Sequence, residues 1–325
     1  MTHRERIEAA VRGERPEQIP VALWRHFPAD DQRAEKLAQA HIAHYKTHDV
    51  DLLKVTPASG YYGDDWGLRA GYKPNREGVR TYGDRPIKKA TDWDRLKRLD
   101  VSQGVYGREA HAIRLISEAV GAEVPVLETI FSPLSVARTL AGEQAGVRYL
   151  REDPEALHHG LQTIAEVTAD FVRTVLAAGA DGIFFSTQMA TTDLLTREEY
   201  EEFGRPYDLQ ILEAATTGLS FLHIHGVHIM FDLFTDYPVH IVNWHARETA
   251  PGIAEARARV SACLACGIDA WNTLAKASPE AVAREVRDAI AQTQGRGHIV
   301  TTGCVMPVDT PEENIRAAIA AVREA

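Results

Sequence analysis

Eight short apolar runs, each followed by a helix-length amphipathic stretch, constrain this 325-residue chain more than any other feature. The runs are "IPVALW" (19–24), "VDLLKVT" (50–56), "VPVLETI" (124–130), "DGIFFST" (181–187), "SFLHIHG" (220–226), "HIVNWH" (240–245), "ACLACGI" (262–268) and "HIVTTGC" (298–304). Most are continuously apolar rather than alternating, the pattern of parallel strands covered on both faces. The intervening helices carry their own punctuation. One begins at Asp153-Pro154 and stops at Gly179. A second has Thr196 and Glu199 as a capping box and stops at Gly218, and a third runs from Ser278 to Gly295. The last has Thr310 as cap with Pro311 at its first position. Eight strands alternating with helices predict an α/β fold of the (β/α)8 TIM-barrel type. A doubly wound open sheet is the runner-up, but no Gly-rich phosphate loop follows any strand. The segment from about 57 to 120 reads as a loop-rich insertion over the barrel mouth, and residues 1–325 as a single domain.

Composition narrows the function classes. A formal net charge of -10 opposes nucleic acid or anionic membrane surfaces as partners, since both need clustered Lys and Arg. No apolar run approaches the roughly 18 residues of a membrane span. The N-terminus is charged and helix-like, without an apolar signal core, so a cytoplasmic protein is expected. Three cysteines, Cys263, Cys266 and Cys304, do not make a disulfide framework. Cys263 and Cys266 sit i and i+3 in an apolar strand and so point to opposite faces, as inert core thiols do.

In a barrel of this kind chemistry belongs at the C-terminal strand ends. Here those ends are polar: Trp24-Arg25-His26, Lys54 with Tyr61 and Tyr62 beyond it, Glu128, Ser186-Thr187-Gln188, His223-Ile224-His225, Asn243-Trp244-His245 and Gly303-Cys304. His223 and His225, two residues apart, share one face of a strand. Together with Cys304 they make a three-ligand zinc set with a fourth position open, the catalytic rather than the structural pattern. The same residue types also occur as packed histidines and buried thiols, so spacing alone leaves both readings standing. His228 lies beyond Gly226 and receives no role, and His158-His159 fall on a helix as surface residues.

The stretches "GADGIFFSTQ", "LTREEYEEFGRPYDLQILEA", "VNWHARETAPGIAEARARV" and "GRGHIVTTGCVMPVDTPEENIRAAIAAVRE" resemble the uroporphyrinogen decarboxylase superfamily, over nearly the whole chain and most strongly from about 178 onward. The resemblance implies a (β/α)8 barrel and a homodimer. True decarboxylases of that superfamily carry an Arg-Gln-Ala-Gly-Arg stretch after the first strand, where this chain reads "ALWRHFPADD". Their catalytic aspartate after the second strand has no match in "LLKVTPASGYY", and Cys304 stands where they have histidine. The other branch is the zinc-dependent corrinoid:thiol methyltransferases, with a His-x-Cys motif and a later Gly-Cys-x-x-Pro. This chain has His223-Ile224-His225 and "GCVMP", with His225 in the place of a cysteine. Histidine is also a good zinc ligand.

The expected function is therefore zinc-dependent methyl transfer. His223, His225 and Cys304 would hold the metal, which activates a thiol or small acceptor, and a corrinoid on a separate protein would be the donor. Tyr61, Tyr62, Gln188, Trp244 and His245 are candidates to line the substrate pocket, and Arg25 to pair with a substrate anion. Two alternatives stand beside it: uroporphyrinogen decarboxylation, and a barrel that binds a small molecule or a corrinoid partner without turnover.

Overall fold

The computed structural model describes residues 1–325. Eight parallel strands form one sheet: β1 (Val21–Ala22), β2 (Leu53–Lys54), β3 (Val126–Phe131), β4 (Gly182–Thr187), β5 (Leu219–Ile224), β6 (Ile241–Trp244), β7 (Cys263–Ile268) and β8 (His298–Thr302). Each pairs with its chain neighbour from β2 round to β8, and β8 pairs with β1 through Val21↔Val300 and Ala22↔Thr301. The expected (β/α)8 barrel is thus present, with all eight strands where the apolar runs place them.

Only the β1–β2 seam lacks a strand ladder, and Asp51 closes it. Its N–H donates to Val21 O (2.8 Å), and its carboxylate accepts the Val21 N–H (2.8 Å). A fully buried carboxylate needs compensation. Arg6 (2.6 Å), Arg323 (2.8 Å) and His3 (2.8 Å) supply it, which fastens both chain ends to the barrel floor.

Period-two alternation sorts the strand residues. Leu127, Phe184, Phe221, Ile241, Ala265 and Ile299 fill the barrel interior with Trp24, and the residues between them face the helices. Cys263 joins that interior cluster while Cys266 joins the outer one, so the two thiols point to opposite faces as expected.

Three local expectations need correction. The helix expected across 196–218 is two, Arg197–Phe203 and Arg205–Ala214. Pro206 has no N–H to donate and its ring excludes the preceding turn's carbonyl, so the chain breaks at Gly204. Thr310 does not cap the last helix. Its hydroxyl donates to Pro307 O (2.7 Å), and Pro311 occupies the cap position before Glu312–Arg323. The stretch expected to be irregular as far as 120 ends in a 17-residue helix, Gly104–Val120. Before it lie a short helix at Tyr61–Asp64, a hairpin pairing Ala70–Gly71 with Thr81–Tyr82, and a 3-10 turn at Ala90–Arg95. No helix is long and apolar enough to cross a membrane.

Candidate functional site

Following the inward face of each strand upward leads to one cluster. On β5 the inward series is Phe221, His223 and then His225 just past the strand end; on β6 it is Ile241, Asn243 and His245. The chain leaves β8 through Gly303 to Cys304. One ligand atom from each of His223, His225, His245 and Cys304 lies within 4.8 Å of the others. His223 Nε2 is 3.3 Å from His225 Nδ1, and Cys304 Sγ is 3.7 Å from the same atom. Gly303 permits the approach, because a Cβ there would lie 2.7 Å from His245 Cα.

Partners behind the rings set which nitrogens face the cluster. His223 Nδ1 donates to Asn243 Oδ1 (2.6 Å). Asn243 is itself held by its amide N–H groups on Ala265 O (2.7 Å), Thr302 O (3.0 Å) and Thr301 Oγ1 (3.2 Å). His245 Nδ1 donates to Glu248 Oε1 (3.1 Å), which leaves its Nε2 buried with no partner. His223 stacks on Phe184 with ring centres 5.4 Å apart, which shields it from water.

The electrostatics favour a thiolate. Burial alone would raise the Cys304 thiol, but the imidazoles of His223, His225 and His245 around it outweigh burial and hold the pKa well below the usual value. Burial lowers His223. For His245 burial opposes the charge, yet contacts with Cys304 and Glu248 raise its pKa to about 10. Both directions favour a thiolate beside an imidazolium, and a cation binding there would compete with that proton.

These donors suit zinc. Imidazole nitrogens about 2.0–2.1 Å from a tetrahedral ion stand about 3.3 Å apart, the separation of the His223 and His225 nitrogens. The orphaned His245 Nε2 and the hydrogen-bonded outer nitrogens of His223 and His245 match the usual support of metal-bound imidazole. His245, expected only to line the pocket, is thus a fourth potential ligand.

A cavity of about 360 Å³ opens above His223, His225 and Cys304, and Tyr62 and Gln188 line it. Three other residues expected there lie elsewhere. Tyr61 turns into the core and donates to Thr129 O (2.8 Å). Trp244 has the opposite strand parity to Asn243 and His245, so it faces the helices and donates to Pro251 O (2.9 Å). Arg25 donates to Val308 O (3.1 Å) outside the cavity wall. The cavity's cations are instead Lys54, Arg80, Arg85 and Arg138. Burial lowers the Lys54 pKa to about 8. His228 is exposed and paired with Asp193 (2.9 Å).

Comparisons with known proteins agree with this architecture. The chain is 24% identical over 353 residues to the methylcobamide:CoM methyltransferase MtbA of Methanosarcina mazei, covering 98% of this chain and 96% of that one. It is 27% identical over 355 residues to a uroporphyrinogen decarboxylase of Anaeromyxobacter dehalogenans, covering 99% and 98%. In fold it matches a solved methyltransferase from Methanosarcina mazei with a TM-score of 0.88 at 19% identity, covering 100% of this chain and 99% of the other. The profile described as uroporphyrinogen decarboxylase (URO-D) spans residues 2–325, and the chain belongs to that family.

Proposed function

We propose that this protein is a zinc-dependent methyltransferase that activates a thiol or another small acceptor for methyl transfer from a corrinoid carried by a separate protein. The observation that carries the reading is the convergence of His223, His225, His245 and Cys304 at the floor of the cavity. Similarity to MtbA, a methylcobamide:CoM methyltransferase, supports the same chemistry. His223, His225 and Cys304 would hold the metal, leaving a fourth position, beside His245, for the acceptor. When bound there, zinc supplies Lewis acidity that keeps a sulfur nucleophile deprotonated near neutral pH. Asn243 and Glu248 fix the imidazole tautomers through their hydrogen bonds. Phe184 covers the His223 ring, and the cavity walls hold the acceptor above the cluster. A homodimer belongs to this reading through the family resemblance.

Similarity to a decarboxylase at 27% identity favours a second reading, porphyrinogen decarboxylation. That reaction has no use for the histidine–thiol cluster. Its substrate carries eight carboxylates, whereas this cavity has four cationic side chains and two carboxylates, Glu77 and Glu143. Elemental mass spectrometry of the native protein and of His223→Ala and Cys304→Ala decides between them. About one zinc per chain, lost in both variants, is expected. A native protein that neither contains zinc nor takes it up would sink the methyltransferase reading and make coproporphyrinogen formation the next assay.

A further inference from the structure

The outer half of the cavity differs in character from its floor. Arg80, Arg85 and Arg138 reach it from the hairpin, from the segment just beyond it, and from the helix Pro133–Ala141. Arg80 is the most telling of the three. Its side chain is only 10% exposed and anchored through one nitrogen on the buried Asp31, yet its Nε is buried and has no partner. The residue itself lines the cavity, so the Asp31 anchor holds a guanidinium group in the wall. Arg85 is braced on Thr139 O and lies 5.3 Å from the Tyr82 ring centre. Arg138 is paired with Glu143, which leaves Glu77 as the only other acid on this wall. Of the three arginines only Arg85 has no carboxylate partner.

Between these cations and the metal cluster the walls are aromatic. Tyr62 and Phe131 pack with centroids 4.7 Å apart, and Tyr82 lines the cavity with its phenol beside that of Tyr62. A cavity of about 360 Å³ falls in the range that accommodates compact ligands with ring systems, and a short aliphatic thiol would leave most of it empty.

We propose that this cavity binds an aromatic acid, its ring against Tyr62, Tyr82 and Phe131 and its carboxylate on Arg80, Arg85 and Arg138, so that the opposite end of the molecule faces the histidine–thiol cluster. The proposal rests on reading the cavity as the substrate site of the proposed methyl transfer. Planar guanidinium groups suit a carboxylate, and a flat ring between aromatic walls gains area at little conformational cost. The insertion after β2 and the helix after β3 would thus select the substrate, while the strand ends hold the chemistry.

The test is isothermal titration of the full-length protein with three probes. These are 4-methoxybenzoate, 4-methoxybenzyl alcohol (the same ring without charge) and cyclohexanecarboxylate (the same charge without a flat ring). The benzoate is expected to bind with a Kd below about 1 mM and the other two at least about tenfold more weakly. Arg80→Gln should weaken the benzoate by at least about tenfold. Arg138→Gln, which leaves the Arg80–Asp31 pair intact, should also weaken it and decides the matter if Arg80→Gln does not fold. Absence of benzoate binding, equal binding of the three probes, or unchanged affinity in the folded variants would overturn the proposal. No probe carries a thiol or needs a metal, so zinc content and this titration fail independently.

Discussion

Asn243 offers the sharpest test of how the cluster is built, because it does two separable jobs. Its Oδ1 accepts from His223 Nδ1 at 2.6 Å, and its amide nitrogen serves three acceptors on β7 and β8. Asn243→Ala removes the bond from His223 and the two amide N–H donors shared among the three acceptors, at a site with no solvent exposure. At about 1 kcal/mol per hydrogen bond, the fold should lose roughly 3 kcal/mol. Loss of the orienting partner alone typically costs 10- to 100-fold in metal affinity, about 1.4–2.7 kcal/mol. Asn243→Asp separates the two. It keeps an acceptor for His223 but turns a carboxylate toward the Ala265 and Thr302 carbonyls. Stability should therefore fall at least as far as in the alanine variant, while zinc affinity stays within about threefold of wild type or rises. Urea unfolding gives the first quantity, and competition with a chromophoric chelator at pH 7 gives the second. An alanine variant that is folded and binds zinc as tightly as wild type would refute the positioning role. An aspartate variant as weak as the alanine one would show that packing, not orientation, sets the affinity.

Two further outcomes are expected. In metal-free protein at pH 7, iodoacetamide should label Cys304 alone. Burial raises the Cys266 pKa to about 12 and pushes Cys263 higher still, whereas the surrounding imidazoles lower Cys304. Peptide mass spectrometry showing a second labelled cysteine in the native protein would contradict this. The second concerns Asp208, which accepts from Tyr200 (2.7 Å) and Tyr237 (3.0 Å) and whose pKa burial raises from 3.8 to about 7. A raised folded pKa means the native state holds the proton longer than the unfolded chain. Its stabilising contribution is thus complete below about pH 4 and is lost as pH rises through 7, by an amount of roughly 4 kcal/mol. Asp208→Asn should flatten that decline, so its advantage over wild type grows from pH 5 to pH 8. A constant difference across that range in urea titrations would show that Asp208 is ionised throughout.

The barrel was legible because each strand is a short apolar run closed by a polar tip, a pattern that parallel strands buried on both faces require. The histidine–thiol cluster was legible for a related reason: His223 and His225 share strand parity with Phe221, and Cys304 follows a strand end. The same parity rule applied to β6 separates His245, facing in with Ile241 and Asn243, from Trp244, facing out; without it the two were grouped as pocket residues. Arg80 and Arg85 could not be found this way. They lie on or beside an irregular hairpin with no periodicity, and only the folded chain brings them to Arg138. The break at Gly204 was legible in principle, since Pro206 stands two residues on, but the amphipathic pattern continues across it.

The division of labour within the barrel also explains how one family can hold relatives named for two chemistries. Register ties His223 on β5 to Asn243 on β6, and Asn243 in turn to Ala265 on β7 and to the Thr301–Thr302 end of β8. Altering any of those strands would misplace the cluster and cost the barrel buried hydrogen bonds at once. The cations face no such constraint. Arg80, Arg85 and Arg138 project from the hairpin region and from the helix after β3, where residues can change without disturbing a ladder. The arginine-rich stretch that resemblance to decarboxylases places after β1 is replaced here by a lone Arg25, which bonds a backbone carbonyl instead of facing the cavity. In the proposed reading, substrate charge would be read from a different wall of the same barrel.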